Sequence, residues 1–393
     1  PSPTLDFTLL LLVRALDAFM QTLASSCCGV ASRATIDDEA EHARRLQRRR
    51  SIMSKSDAFV FWASSARIMW CWFYKPERLP KSYVRWIGVL ANVDGRLLRA
   101  LQLLREGAWT YSRGSMSDRN LLMSYAEDMG LPAAWGDPVV LPSHGSPDSD
   151  AIYETLGVRG RGGLGGLPCE LAHGRTGSSH PFLHGSCTAN AGIRGSQAFI
   201  EALAIYLPAH LLSTLLKGPS ACLRFKSLLK LLLPAMRSAA FLSTFITVFW
   251  SAVCFTRTGV LARLFPSVSH DFWDGPYGCI MAGCLLCGSS IWVEHGRRRG
   301  EIALYVLPRA IRTCIPDNWL TSSNIGVEMA ERLVFSASFA FLLTVSRLNP
   351  QALRGLSRWT LAFVMKGTRA GGEVTRRDLV DPQPSERTAT TYE

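Results

Sequence analysis

Residues Ser238 to Thr256 read SAAFLSTFITVFWSAVCFT, nineteen residues without a charge, closed by Arg237 on one side and Arg257 on the other. The hydrocarbon core of a bilayer is about 30 Å thick and a helix rises about 1.5 Å per residue, so about 20 apolar residues cross it. The stretch meets that length. Trp250 lies near one end, where an indole suits the membrane–water boundary, and both arginines have the reach to find headgroups. A buried core helix of a soluble protein is the competing reading. The unbroken length favours a span.

Other stretches repeat the pattern with flaws. Gly275–Val293 (GPYGCIMAGCLLCGSSIWV) is equally long and uncharged. Its Gly278, Gly283 and Gly288 recur every five residues and are expected to let helix backbones approach closely. Ser196–Leu216 carries Glu201, Pro208 and His210; an acid inside a membrane marks a functional position unless it sits at the interface. In Met329–Ser346 the uncharged core starts at Leu333 and spans only about 21 Å of helix. Phe7–Val30 contains Arg14 and Asp17, three apart and expected to pair; it reads as an interfacial helix. Asp57–Tyr74 is crowded with aromatics, broken by Arg67, and reads as a span. The fold class expected is therefore all-α: a multi-pass helical membrane protein with about four to six transmembrane helices plus basic amphipathic interfacial helices.

Composition agrees. The 393 residues carry 43 Lys and Arg against 31 Asp and Glu, a net charge of +12, and are 48% apolar but only 19% charged. Mean hydropathy is +0.11 and the isoelectric point about 9.4. So few charges argue against a disordered chain and an ordinary soluble enzyme. The basic residues are also too dispersed for a nucleic-acid binder. Eleven cysteines are too sparse for a disulfide scaffold, and those in apolar runs read as small hydrophobes, mostly reduced.

The cations have definite places. Lys217, Arg224, Lys226, Lys230 and Arg237 precede the best span, and Arg297, Arg298, Arg299, Arg309 and Arg312 follow the glycine-rich stretch. Two intervening spans would place both groups on one side, and the excess of positive charge makes that the inner face. A third run, Arg44 to Arg50, follows the acidic patch Asp37–Glu41. Such stretches rest on anionic lipid or form a solvated helix face. The expected partners are the lipid bilayer, including anionic lipids, and other membrane proteins or a second copy of the chain, and no nucleic acid.

Few motifs carry chemistry. GRGGLG at Gly160–Gly165 matches a dinucleotide fingerprint by letter, but no strand precedes it, and it reads as linker. Cys169, His173, His184 and Cys187 have the residue types of a tetrahedral zinc site. A Cys169–Cys187 disulfide and unligated loop residues remain open beside it, so no metal or cofactor is assigned. Cys284 and Cys287 read as packing residues. No Ser/His/Asp or paired-carboxylate signature is present, so no catalytic residue is named and no enzyme is expected.

The segments PCELAHGRTGSSHPFLHGSC, ALAIYLPAHLLSTLL and LLPAMRSAAFLSTFITVFWSAVCF resemble the cysteine-rich region of the transmembrane protein 135 family. The shared pattern falls on Cys169, Glu170, His173, Ser186, Cys187, Ile205, Tyr206, Pro208, Leu233, Pro234, Ser238 and Phe241. AGCLLCGSSIWVEHGRRRGEIALYVLPRAI is similar to that family's later region and to the Tim17-like membrane domain. The resemblance covers 168–366. It implies a peroxisomal or mitochondrial multi-pass protein tied to lipid homeostasis and organelle dynamics, with no catalytic residues to carry over. The segments expected are a helical region over 1–129 with one or two membrane-associated helices and a Gly/Pro/Ser-rich linker over 130–167. A cysteine-rich membrane region over 168–256, a Tim17-like membrane region over 257–366 and a disordered tail over 367–393 complete them. A transporter or pore for a small solute or lipid, using Glu201, Pro208 and His210, is the alternative.

Overall fold

The computed structural model describes residues 4–26, 36–115, 118–177, 181–215, 225–316, 319 and 325–366. The tail over 367–393, Lys217 and Arg224 lie outside them, as do the side chains of Lys226, Lys230 and His210. Among the described residues the chain is all-helical, with no strand. It divides into two units, residues 54–299 and residues 1–53 with 300–393.

The first unit, 54–299, is built on two long helices. Helix α1 is Ile36–Tyr74, of which the residues from Ser54 onward belong to this unit. Short helices follow: α2 (Lys81–Ala91), α3 (Gly95–Glu106), α4 (Asn120–Asp128), α5 (Pro147–Thr155), α6 (Cys169–His173) and α7 (Pro181–His184). The long pair is α8 (Cys187–Leu215) and α9 (Phe225–Cys254). Local chemistry sets the small helices. Asp94 caps α3 by accepting from the Arg96 amide at 2.8 Å, and Gly107 ends it in the left-handed conformation.

The span 130–167, expected as a linker, is instead part of a packed core. Leu141, Tyr153 and Leu167 join Leu103, Trp109, Leu122, Tyr125, Trp135 and Leu171 in one buried cluster. The Trp135 indole donates to the Leu156 carbonyl at 2.8 Å. Glycine and proline here fold a loop back on itself rather than free it. Gly166 has φ +71°, and a Cβ there would lie 2.7 Å from the His270 ring.

Helix α8 lies along α9, its N-terminal half against the C-terminal half of α9. The Ser243 hydroxyl donates to the Gly195 carbonyl at 2.8 Å. A Cβ on Gly195 would stand 2.0 Å from Thr247 Oγ1. Thr247 can turn away, so Gly195→Ala is expected to cost about 1–3 kcal/mol, read as a lowered thermal midpoint of the purified chain.

Beyond α9, a π-helical turn at Phe255–Gly259 carries Arg257 to a buried position. Short α10 (Leu261–Leu264) and α11 (His270–Trp273) lead to α12 (Cys279–Cys287), continued as a 3-10 helix over Gly288–Val293. The glycine-rich stretch is thus a broken helix packed on α9. A Cβ at Gly283 would meet Phe249 at 2.8 Å, and one at Gly288 would meet Trp62 at 2.6 Å. One at Gly278 would meet the Trp273 carbonyl at 2.3 Å, because Gly278 sits in the turn before α12.

The second unit takes α13 (Gly296–Cys314) from Gly300 onward, α14 (Ile325–Leu348), α15 (Gly355–Lys366) and the N-terminal helix α0 (Leu5–Ser26). Ala15 and Ala18 of α0 pack with Leu342 and Val345 of α14, and Phe7 meets Phe335 at a centroid distance of 5.9 Å. The expected Arg14–Asp17 pair does not form. Arg14 reaches Glu301 at 3.0 Å and Asp17 accepts from Arg354 at 3.1 Å. Neighbouring elements offer both charges better geometry than a three-residue offset on one helix.

Two helical segments among the described residues are long and apolar enough to cross a membrane, Leu232–Leu264 and Ile325–Leu348. Among the described residues, the other four stretches read as membrane-associated do not combine that length and hydropathy. Cys279–Val293 is apolar but shorter.

Candidate metal centre

Four side chains converge where α6, the start of α8 and the end of α9 meet. Cys169 and His173 open and close the single turn of α6, four residues apart and so on one face, and both are buried. Cys187 is the first residue of α8 and half-buried; Cys254 is the last of α9 and buried. The ligating atoms of Cys169, His173 and Cys187 all lie within 4.8 Å of one another. His173 Nε2 stands 3.4 Å from Cys254 Sγ, and the Cys187 thiol faces both Cys169 and Cys254.

The histidine is oriented. Its Nδ1 lies 3.3 Å from the His184 carbonyl. A carbonyl only accepts, so Nδ1 carries the proton and the Nε2 lone pair faces the sulfurs. Burial holds the His173 imidazole below its ordinary value, so the ring is neutral at pH 7.

The sulfur of Cys169 is surrounded by donors. Arg161 Nη1 is 3.6 Å away, Thr258 Oγ1 3.3 Å and Arg257 Nη1 4.0 Å. The facing Cys187 thiol and then burial push the Cys169 thiol up to about 12. Cys187 is lowered by its contact with Cys169, but Cys254 and burial outweigh this and bring it to about 11.

A second cluster stands behind the first. Arg257 donates from Nε to Asp274 Oδ1 at 2.5 Å and from Nη2 to Oδ2 at 3.2 Å, a bidentate pair buried on both sides. Tyr111 adds its hydroxyl to Asp274 Oδ2 at 2.7 Å, and Arg257 also donates to the Leu167 carbonyl. Burial raises the Asp274 carboxyl, but the Arg257 charge and the facing His270 overcome it and hold it well below the usual carboxylate range. His270 Nδ1 is 3.8 Å from Asp274 Oδ2, beyond a direct hydrogen bond, and burial lowers the imidazole.

Of the four residues of the sequence motif, Cys169, His173 and Cys187 come together and His184 turns away. The His184 Nε2 pairs with the Gly174 carbonyl at 3.3 Å, and its backbone serves His173 instead. Cys254 takes the vacated corner. It is hidden in the sequence by its apolar run, where a cysteine reads as a hydrophobe. Cys169, Cys187 and Cys254 are all free thiols. Cys284 and Cys287 are buried in α12.

The remaining candidates are dispersed. Glu201 and Pro208 are exposed on α8. Arg257, expected to reach for headgroups, is buried because Asp274 offers a closer partner. Arg237 donates to the Val293 carbonyl at 2.6 Å. Arg299 donates to the carbonyls of Glu294 at 2.9 Å and Trp292 at 3.1 Å. Arg298 lies 3.9 Å from buried Glu294, while Arg297 is exposed. In the GRGGLG loop Arg263 takes the carbonyls of Gly162 at 2.8 Å and Gly160 at 3.2 Å, while the Gly163 amide donates to Asp150 Oδ1 at 2.7 Å and the Leu164 amide to the Arg161 carbonyl at 3.0 Å, so these two N–H groups are already paired within the chain. No family model, curated protein or solved structure matches this chain.

Proposed function

We propose that this chain is an integral, multi-pass organellar membrane protein acting without catalysis in peroxisomal or mitochondrial lipid homeostasis and organelle dynamics. The observation that carries the membrane part is α14. It is long and apolar, yet only 17% of its most apolar window is buried within the chain. Ile325 is 77% exposed, Leu333 66% and Leu348 81%. A soluble protein buries such a helix in its core, and a bilayer is the solvent in which this face is stable without cover. Leu232–Leu264 supplies a second helix of sufficient length. The organelle and the lipid role rest on the resemblance of 168–366 to the transmembrane protein 135 family.

Two measurements test this reading. The tagged full chain should stay in the membrane pellet after alkaline carbonate extraction and should overlap peroxisomal or mitochondrial markers. Release into the carbonate supernatant would overturn the membrane reading. Residence only in plasma or secretory membranes would overturn the organellar one.

A further inference from the structure

We propose that Cys169, His173, Cys187 and Cys254 bind one zinc ion, in a closed three-thiolate, one-imidazole site that fastens α6 and the start of α8 to the end of α9. The membrane reading plays no part in this inference, which stands on the geometry of the cluster.

Tetrahedral zinc with bonds of about 2.0–2.3 Å sets its ligand atoms about 3.6–3.8 Å apart. The 3.4 Å from His173 Nε2 to Cys254 Sγ is close to that edge, and the ligating atoms of Cys169, His173 and Cys187 lie within 4.8 Å of one another. Cys254 stands against His173 and Cys187 but outside the set within 4.8 Å, so closing the tetrahedron requires its sulfur to turn toward Cys169. The donor set selects the metal. Thiolates and imidazole suit zinc, whereas calcium and magnesium require oxygen ligands. Four protein ligands leave no open position, which is the arrangement of a structural site rather than a catalytic one.

The surroundings fit a metal thiolate. Zinc with three thiolates carries one net negative charge, and Arg161 and Arg257 approach the Cys169 sulfur at 3.6 and 4.0 Å. A guanidinium can only donate, so that sulfur is placed as an acceptor. His173 is held in the ligating tautomer by the His184 carbonyl at 3.3 Å, the outer-shell contact that fixes a metal-bound histidine. Half-buried Cys187 leaves an entry path. On binding, each thiol releases its proton to solvent as its Zn–S bond forms, and no electron is transferred.

The test uses the full chain, purified in detergent from zinc-supplemented cells. Metal analysis after gel filtration should give about one zinc per chain. Cobalt exchanged into the site should show thiolate-to-metal charge transfer with the intense d–d bands of a tetrahedral centre. Cys254→Ser should lose at least tenfold in metal occupancy, Cys254→His should keep the metal, and His184→Ala should keep it because only its backbone is used. A wild-type chain with no stoichiometric zinc would overturn the proposal. So would a Cys169–Cys187 disulfide in most chains, or metal lost from His184→Ala and retained by Cys254→Ser. Should Cys254→Ser fail to fold, the wild-type cobalt spectrum decides, since an octahedral or thiolate-free spectrum excludes the site.

Discussion

Asp274→Asn should destabilise the chain by about 3–5 kcal/mol, the cost of leaving one member of a buried ion pair without its partner. Arg257 and Asp274 are both nearly inaccessible, with side chains 6% and 8% exposed. Asparagine is nearly isosteric, so packing changes little and the loss reports charge. The variant leaves Arg257 facing an amide, and its Oδ1 alone must serve the donors that two carboxylate oxygens now accept: Arg257 Nε, Arg257 Nη2 and the Tyr111 hydroxyl. Since a domain is stable by about 5–15 kcal/mol, such a loss should be plain as a lowered thermal midpoint in detergent. The double variant Arg257→Met/Asp274→Leu should lose less than the sum of its single changes. A strictly additive result would mean that the pair is not coupled.

Acid separates the partners. In the wild type the Asp274 carboxyl titrates below its unfolded value of about 3.9. Its stabilisation is fully present above pH 4 and is lost only as pH falls through the folded pKa. His270, lowered by burial, binds its proton more readily when unfolded, so its contribution is lost as pH drops below about 6.5. Arg257→Met reverses the first sign. With its strongest lowering partner gone, burial outweighs the His270 contact that remains on Asp274, raises its pKa above the unfolded value and makes protonation favour the fold. The stability gap between Arg257→Met and wild type should therefore narrow between pH 7 and pH 5. A gap that widens on acidification would show that Asp274 does not depend on Arg257 for its charge.

How legible this was differs by element. Ser238–Thr256 declares its helix through unbroken apolar length, and α9 covers all but its last two residues, which begin the π turn. Met329–Ser346 lies wholly within α14. Composition misleads where glycine and proline read as a linker. Residues 130–167 use those residues to make tight turns around Trp135 and Tyr153, and the aromatic anchors were the better signal. Charge misled in the opposite way. Arg257 ends an apolar run as an interfacial cation would, and only Asp274, brought close by the turn at 274–278, shows why it is buried. The Cys/His motif could be read three-quarters correctly from spacing because α6 and α8 are near in sequence. Cys254 could not, since its approach depends on how α8 lies along α9.

Arg194→Met should cost about 3 kcal/mol, because one guanidinium joins three parts of the first unit. Its Nε donates to Asn190 Oδ1 at 2.9 Å, Nη1 to the Ala91 carbonyl at 2.6 Å and Nη2 to the His173 carbonyl at 2.9 Å. The plane lies over the Trp250 ring of α9 at 4.2 Å. Burial lowers its pKa to about 10, so it remains charged at neutral pH. Methionine fills the volume but strands the His173 carbonyl and the Asn190 side chain, both buried, at about 1–3 kcal/mol each. The carbonyls of Ala91 and Asn92 are nearer solvent and can turn to water. Lysine keeps the charge but cannot span three acceptors in a fixed fork, so Arg194→Lys should recover less than half of the loss. Thermal unfolding of the three proteins at one pH measures this. If lysine restored full stability, charge over Trp250 rather than the fork would be what Arg194 supplies. Because Arg194 grips the backbone of His173, the methionine variant should also loosen the Cys169–His173 turn, read as faster amide exchange there than in the wild type.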